Sequence, residues 1–132
     1  MDTPGLILFA HGARDPRWAT PFEAVAAQVR LQRPGASVRL AFLEFMTPSL
    51  SMAGAELAAA GCTQVAVLPL FLGAGGHVRK DLPLLMDILR HSHPGVAFTL
   101  HAAVGEVDSV VLAMAQVAVA TLTPTTSGTA AA

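Results

Sequence analysis

This sequence predicts a single α/β domain built on a four-stranded parallel sheet, and three observations predict it. Four apolar runs of strand length alternate with four helix-length segments, in the order βαβαβαβα. No Asn-Gly or Asp-Gly turn joins neighbouring runs, so the sequence carries no tight-hairpin signal. The first run, Gly5 to Ala10, is apolar without interruption, as in a strand covered on both faces. Such an alternation needs crossover connections and places helices on both sides of a parallel sheet. Right-handed crossovers then favour the strand order 2-1-3-4.

The elements follow from local chemistry. After Gly5 to Ala10, Thr20-Pro21 opens a helix, with Thr20 as N-cap and Pro21 at its first position. Phe22, Val25, Ala26 and Val29 fall on one helical face, and Arg33-Pro34-Gly35 stops the run. Val38 to Leu43 reads as the second strand. Pro48 to Ala60 is an Ala-rich helix stopped by Gly61. Gln64 to Phe71 is the third strand. A glycine-rich loop leads to a third helix, Pro83 to His91, and Val96 to His101 is the fourth strand. Glu106 to Leu122 is a long last helix, apolar nearly all round, which predicts burial and a second subunit to provide it. The domain is expected to span residues 1–122, with a disordered Thr/Ala-rich tail at 123–132.

Composition narrows the class. The 132 residues are 53% hydrophobic and 13% charged, against about 45–50% and about 25% in typical domains. That excess again points to a subunit interface. A net charge of −1 gives no basis for nucleic-acid binding. No basic n-region precedes an apolar one, and Val110 to Leu122 is too short to span a membrane. The single cysteine, Cys62, is expected to be a small buried hydrophobe in a reducing cytoplasm.

The candidate chemistry lies at the carboxyl ends of the strands, where open α/β sheets bind ligands. His11 follows the first strand in Ala10-His11-Gly12-Ala13-Arg14-Asp15. His77 follows the third in Gly75-Gly76-His77-Val78-Arg79-Lys80-Asp81. The order 2-1-3-4 makes those strands neighbours. Glu44 ends the second strand, in an apolar setting that makes an unpartnered carboxylate costly. Two neutral imidazoles and a carboxylate can hold a divalent metal or accept protons. Glu44 has a blander reading as the partner of Arg39 or Arg14. Asp15 and Asp81 read as caps, Asp81 also as a group orienting His77. No thiolate joins the set, which favours an open, transient metal site over tight storage.

Gly73-Ala74-Gly75-Gly76 matches neither a Walker motif nor G-x-G-x-x-G, so no nucleotide is expected. Its glycines let backbone approach something flat or large. Arg14, Arg17, Arg79 and Lys80 flank the two histidines and can pair with carboxylates. Trp18 and Phe45 can add flat apolar contact or simply pack in the core. His91, His93 and His101 read as structural or surface residues.

Three stretches together resemble a known family. They are Phe9-Ala10-His11-Gly12-Ala13-Arg14-Asp15; Phe42-Leu43-Glu44 with Pro48-Ser49; and Pro69-Leu70-Phe71-Leu72 with Gly76-His77-Val78 and Asp81-Leu82-Pro83. In register from Gly5 to about Pro83, the chain resembles the sirohydrochlorin chelatases, the ATP-independent class II enzymes of the CbiX/SirB type. The resemblance implies a flavodoxin-like, chelatase-like fold in its short, single-domain form, working as a homodimer. It implies insertion of Co²⁺ or Fe²⁺ into sirohydrochlorin, for cobalamin or siroheme, with Ni²⁺ as an alternative metal. His11 and His77 match the family's metal-binding and catalytic histidines, and Glu44 stands at a family acidic position. The tetrapyrrole would meet Arg14, Gly75, Gly76, Arg79 and Lys80. Two competing readings are a metal or tetrapyrrole carrier without turnover and a regulatory domain with structural histidines.

Overall fold

The computed structural model describes residues 3–73 and 75–122. Four parallel strands form one sheet: β1 (Gly5–Ala10), β2 (Ser37–Phe42), β3 (Gln64–Pro69) and β4 (Ala97–Leu100). Their order is β2-β1-β3-β4, as the crossover argument requires. Leu8 of β1 sits opposite Leu40 on one side and Leu68 on the other, so β1 is central. The helices are α1 (Thr20–Gln32), α2 (Leu50–Ala59), α3 (Gly76–Ser92) and α4 (Asp108–Ala120). Short 3-10 turns at Pro16–Ala19 and Val104–Glu106 precede α1 and α4.

The alternation of side chains along β1 divides the core. Ile7 and Phe9 are fully buried on one face with Val65, Val67 and Phe98. Leu50, Ala53 and Leu57 of α2 and Met86 and Leu89 of α3 cover that face. Leu8 and Val38 lie on the other, under Ala26 of α1. Each fully buried side chain of the size of Leu57 or Phe9 contributes about 1.5–3 kcal/mol by leaving water. Cys62 is buried in the first cluster as a small hydrophobe. Trp18 also packs, with its ring 4.7 Å from Phe22 and 6.5 Å from Phe42.

Several elements depart from expectation for identifiable reasons. Thr20 is not an N-cap: the 3-10 turn runs straight into α1, and Thr20 is already helical. Ser49 caps α2 instead, its hydroxyl accepting from the Met52 amide at 3.2 Å. Gly61, at φ 91°, ends that helix as expected. The largest difference is α3, which starts at Gly76 and carries Pro83 inside it. Val78, Leu82, Leu85, Met86 and Leu89 all pack on the core at helical spacing. That continuous apolar stripe outweighs the bond lost at the proline. Asp81 is therefore a helix-interior residue and not a cap.

The last helix shows the other large difference. Among the described residues none of α4 is buried. Leu112, Val117 and Val119 are each more than 60% exposed. Among the described residues no helix is long and apolar enough to cross a membrane. The tail expected at 123–132 lies outside the described residues.

Candidate active site

β1 ends at Ala10, and the next residue, His11, stands at the carboxyl edge of the sheet. The ladder between β1 and β2 continues past both strands. The Leu43 amide donates to the Ala10 carbonyl at 2.9 Å, and the Glu44 amide donates to the His11 carbonyl at 3.1 Å. Gly12 permits this approach. It has φ 97°, and a Cβ built there would overlap the Glu44 carbonyl oxygen. The backbone thus brings the two side chains into register, and Nε2 of His11 lies 2.8 Å from Oε2 of Glu44. Both side chains are about half exposed, at 48% and 47%.

Glu44 therefore has an imidazole partner. Arg39 pairs with Glu56 at 2.9 Å instead, and the Arg14 guanidinium lies 4.9 Å from the ring centre of Phe45. Asp15 caps the first 3-10 turn by accepting from the Arg17 amide at 2.9 Å. The Arg17 side chain also binds Asp15 and holds its carboxyl below the usual carboxylate range. Arg17 is thereby engaged locally.

An imidazole that donates Nε2–H to a carboxylate presents its other ring nitrogen, Nδ1, to a metal ion or a proton. The ring of Phe71 meets His11 edge-on, with centroids 6.3 Å apart, and Phe71 packs in turn on Phe9 at 5.9 Å. That chain of rings ties the imidazole to the core.

His77 arrives differently. It is exposed and is the second residue of α3, behind the loop that leaves β3. Asp81 follows one turn later on the same helical face. Among the described residues no group of three or more His, Cys, Asp or Glu stands close enough to hold an ion. The structure brings His11 and Glu44 together and leaves His77 outside any such cluster.

The remaining candidates lie around the same edge. Gly75 is the N-cap of α3 at φ −72°, and Gly76 begins the helix. A Cβ at Gly73, Gly75 or Gly76 would meet nothing within 4 Å, so the chain's own packing does not demand glycine there. Arg79 lines a cleft of about 280 Å³ with Phe71, Val78, Leu82, His101 and Glu106. Lys80 is exposed on α3. His91 and His101 are exposed, and His93 caps the carboxyl end of α3 with its ring 6.2 Å from Phe98.

Phe45 is the odd member. It is 58% exposed and has φ 67°. A bulky residue held in that region costs about 1–3 kcal/mol. Sequence reasoning also passed over Gly12 and Phe71. A glycine directly after a strand-end histidine signals close backbone approach, and that signal was present at Gly12. Nothing local marked Phe71 as the ring behind His11.

Comparison with known proteins agrees with this architecture. The CbiX family model matches residues 5–121. A sirohydrochlorin cobaltochelatase of Saccharolobus solfataricus is 34% identical over 84 residues, covering 64% of each chain. One from Methanosarcina acetivorans is 30% identical over 84 residues, covering 64% of this chain and 65% of that protein. The chain thus spans slightly under two thirds of the length of these relatives. Among solved structures, a chain described as a cobalamin (vitamin B12) biosynthesis CbiX protein from Marinobacter aquaeolei VT8 superposes with a TM-score of 0.78. It is 33% identical, and the match covers 89% of this chain and 95% of that one. SirB from Bacillus subtilis, solved with Fe³⁺, shares the fold at a TM-score of 0.74 and 22% identity, covering 88% of this chain and 46% of SirB. With its sheet order, its strand-end histidine and a family match over nearly its whole described length, this chain belongs to the CbiX family.

Proposed function

We propose that this protein inserts a divalent metal, Co²⁺ or Fe²⁺, into sirohydrochlorin without ATP. The observation that carries the reading is the His11–Glu44 pair, half exposed at the carboxyl edge of a CbiX-family sheet. Metal insertion removes two pyrrole protons and needs a partly desolvated cation. His11 supplies an imidazole oriented by a carboxylate, a group that can ligate a metal or accept a proton. The absence of thiolate favours release of the metal to the macrocycle. His77 is the second metal ligand and proton acceptor, delivered from the first turn of α3. The open backbone at Gly75 and Gly76 admits the macrocycle. Arg14, Arg79 and Lys80 meet its peripheral carboxylates. The cobaltochelatase relatives support cobalt, and these nitrogen and oxygen donors also suit iron and nickel.

The test is an absorbance assay with purified protein, sirohydrochlorin, and Co²⁺, Fe²⁺ or Ni²⁺ in turn. The expected result is a macrocycle spectral change faster than the uncatalysed reaction with Co²⁺ or Fe²⁺. Binding of metal or tetrapyrrole without acceleration would leave a carrier, and neither binding nor acceleration would overturn the reading.

The working unit in this reading is a homodimer in the cytoplasm, each copy contributing the domain assigned to residues 1–122. The support is α4. Val110, Ala113, Met114 and Val117 line an apolar groove of about 370 Å³ that the other described residues leave uncovered. Contiguous apolar surface of this kind marks an interaction site. Sedimentation equilibrium at micromolar concentration is expected to give twice the 13.6 kDa monomer mass. Val117→Glu is expected to shift the protein to monomer. A wild-type monomer would remove the interface from the reading.

A further inference from the structure

Phe45 carries a side chain that the fold does not use. It is more than half exposed, and its backbone sits in the left-handed region that glycine or asparagine would occupy at lower cost. A glycine here would relieve that strain and lose no core contact. Two further facts give the ring a context. Its neighbour Glu44 is the carboxylate bonded to His11, so Phe45 follows that pair directly in the chain. Arg14, three residues after His11, stacks its guanidinium over the ring at 4.9 Å. Among the described residues no carboxylate pairs with Arg14 to compete with this contact, whereas Arg17 and Arg39 are held by Asp15 and Glu56.

We infer that Phe45 and Arg14 form one substrate-positioning platform for the tetrapyrrole, and this rests on the sirohydrochlorin reading above. Phe45 offers a flat apolar surface to the macrocycle. Arg14, pre-positioned on the ring, offers its planar fork to one of the peripheral carboxylates. Phe45 combines this left-handed backbone with an exposed ring, whereas Phe42, three residues earlier, is buried in the core. Chemistry and recognition are thereby divided: His11 and Glu44 act on metal and protons, and Phe45 and Arg14 hold the macrocycle. Phe45 acts by placing the substrate and is a positioning residue.

The experiment measures sirohydrochlorin affinity without metal, by fluorescence quenching, and KM and kcat for Co²⁺ insertion in the same proteins. Phe45→Leu and Arg14→Met are each expected to weaken sirohydrochlorin binding and raise KM about tenfold, with a smaller change in kcat. Phe45→Tyr is expected to recover most of the affinity lost in Phe45→Leu. Phe45→Gly is expected to melt no lower than wild type while binding sirohydrochlorin as poorly as Phe45→Leu. Wild-type affinity in Phe45→Leu would overturn the platform. So would a lowered melting temperature in Phe45→Leu with unchanged affinity, since that is the signature of a purely structural residue. If wild-type protein binds sirohydrochlorin, loses affinity on Phe45→Leu and yet inserts no metal, the platform stands and the proposed reaction falls. If wild type inserts metal and Phe45→Leu binds as tightly, the reaction stands and the platform falls.

Discussion

His11→Ala is expected to slow metal insertion into sirohydrochlorin by about 10²–10⁴-fold, the usual contribution of a positioned acid–base group. The fold should survive. The His11 side chain is about half exposed, at 48%, and its backbone carbonyl, which bonds Glu44, is retained in alanine. Surface changes of this sort alter stability by about 0.5 kcal/mol or less. Thermal denaturation and steady-state rates, measured on the same preparation, check both halves. His77→Ala is expected to fall in the same range of rate. Glu44→Gln is expected to lose less, because an amide can still hold the imidazole but supports its positive form poorly. Full activity in His11→Ala would remove the imidazole from the chemistry.

Gly12→Ala is expected to destabilise the fold and to disrupt the His11–Glu44 pair. Alanine at φ 97° is strained, and its Cβ would overlap the Glu44 carbonyl oxygen. The obstacle is backbone, which cannot swing aside as a side-chain tip can. The combined cost is about 2–4 kcal/mol. For a chain of this size that lowers the melting temperature by about 10 °C. The hydrogen bond from the Glu44 amide to the His11 carbonyl must lengthen or break, so the 2.8 Å side-chain pair separates with it. Insertion activity at 25 °C should drop even where the protein remains folded. Urea denaturation and the absorbance assay together check this, and a variant with unchanged midpoint and rate would contradict it.

Much of this architecture was legible from residues 5 to 71. The apolar run Gly5 to Ala10 is the buried central strand, and the alternation of elements led to the order β2-β1-β3-β4. Glu44 was identifiable because a carboxylate between Leu43 and Phe45 needs a partner, but its choice of His11 over Arg39 or Arg14 was not. That choice depends on a backbone bond across the sheet edge and on the room made by Gly12. Proline rules placed the start of α3 at Pro83, whereas tertiary packing of Val78 and Leu82 carries the helix back to Gly76. The apolar circumference of α4 was plain, and the described residues offer it no cover. Exposure and left-handed backbone at Phe45 have no local signature, since phenylalanine is disfavoured in both respects.

Pro83 has one more consequence. It has no amide hydrogen to give the Arg79 carbonyl, so the ladder of α3 is missing a rung midway along its length. On the carboxyl side of that gap, Met86 and Leu89 anchor the helix in the core. On the amino side lie the turns that bear His77, with Val78 and Leu82 only partly buried. One helix is thus two mechanical units joined by a soft coupling. Amide hydrogen exchange is expected to be faster in the turns before Pro83 than around Met86 and Leu89. A rigid strand end presents one histidine, and a compliant half-helix presents the other.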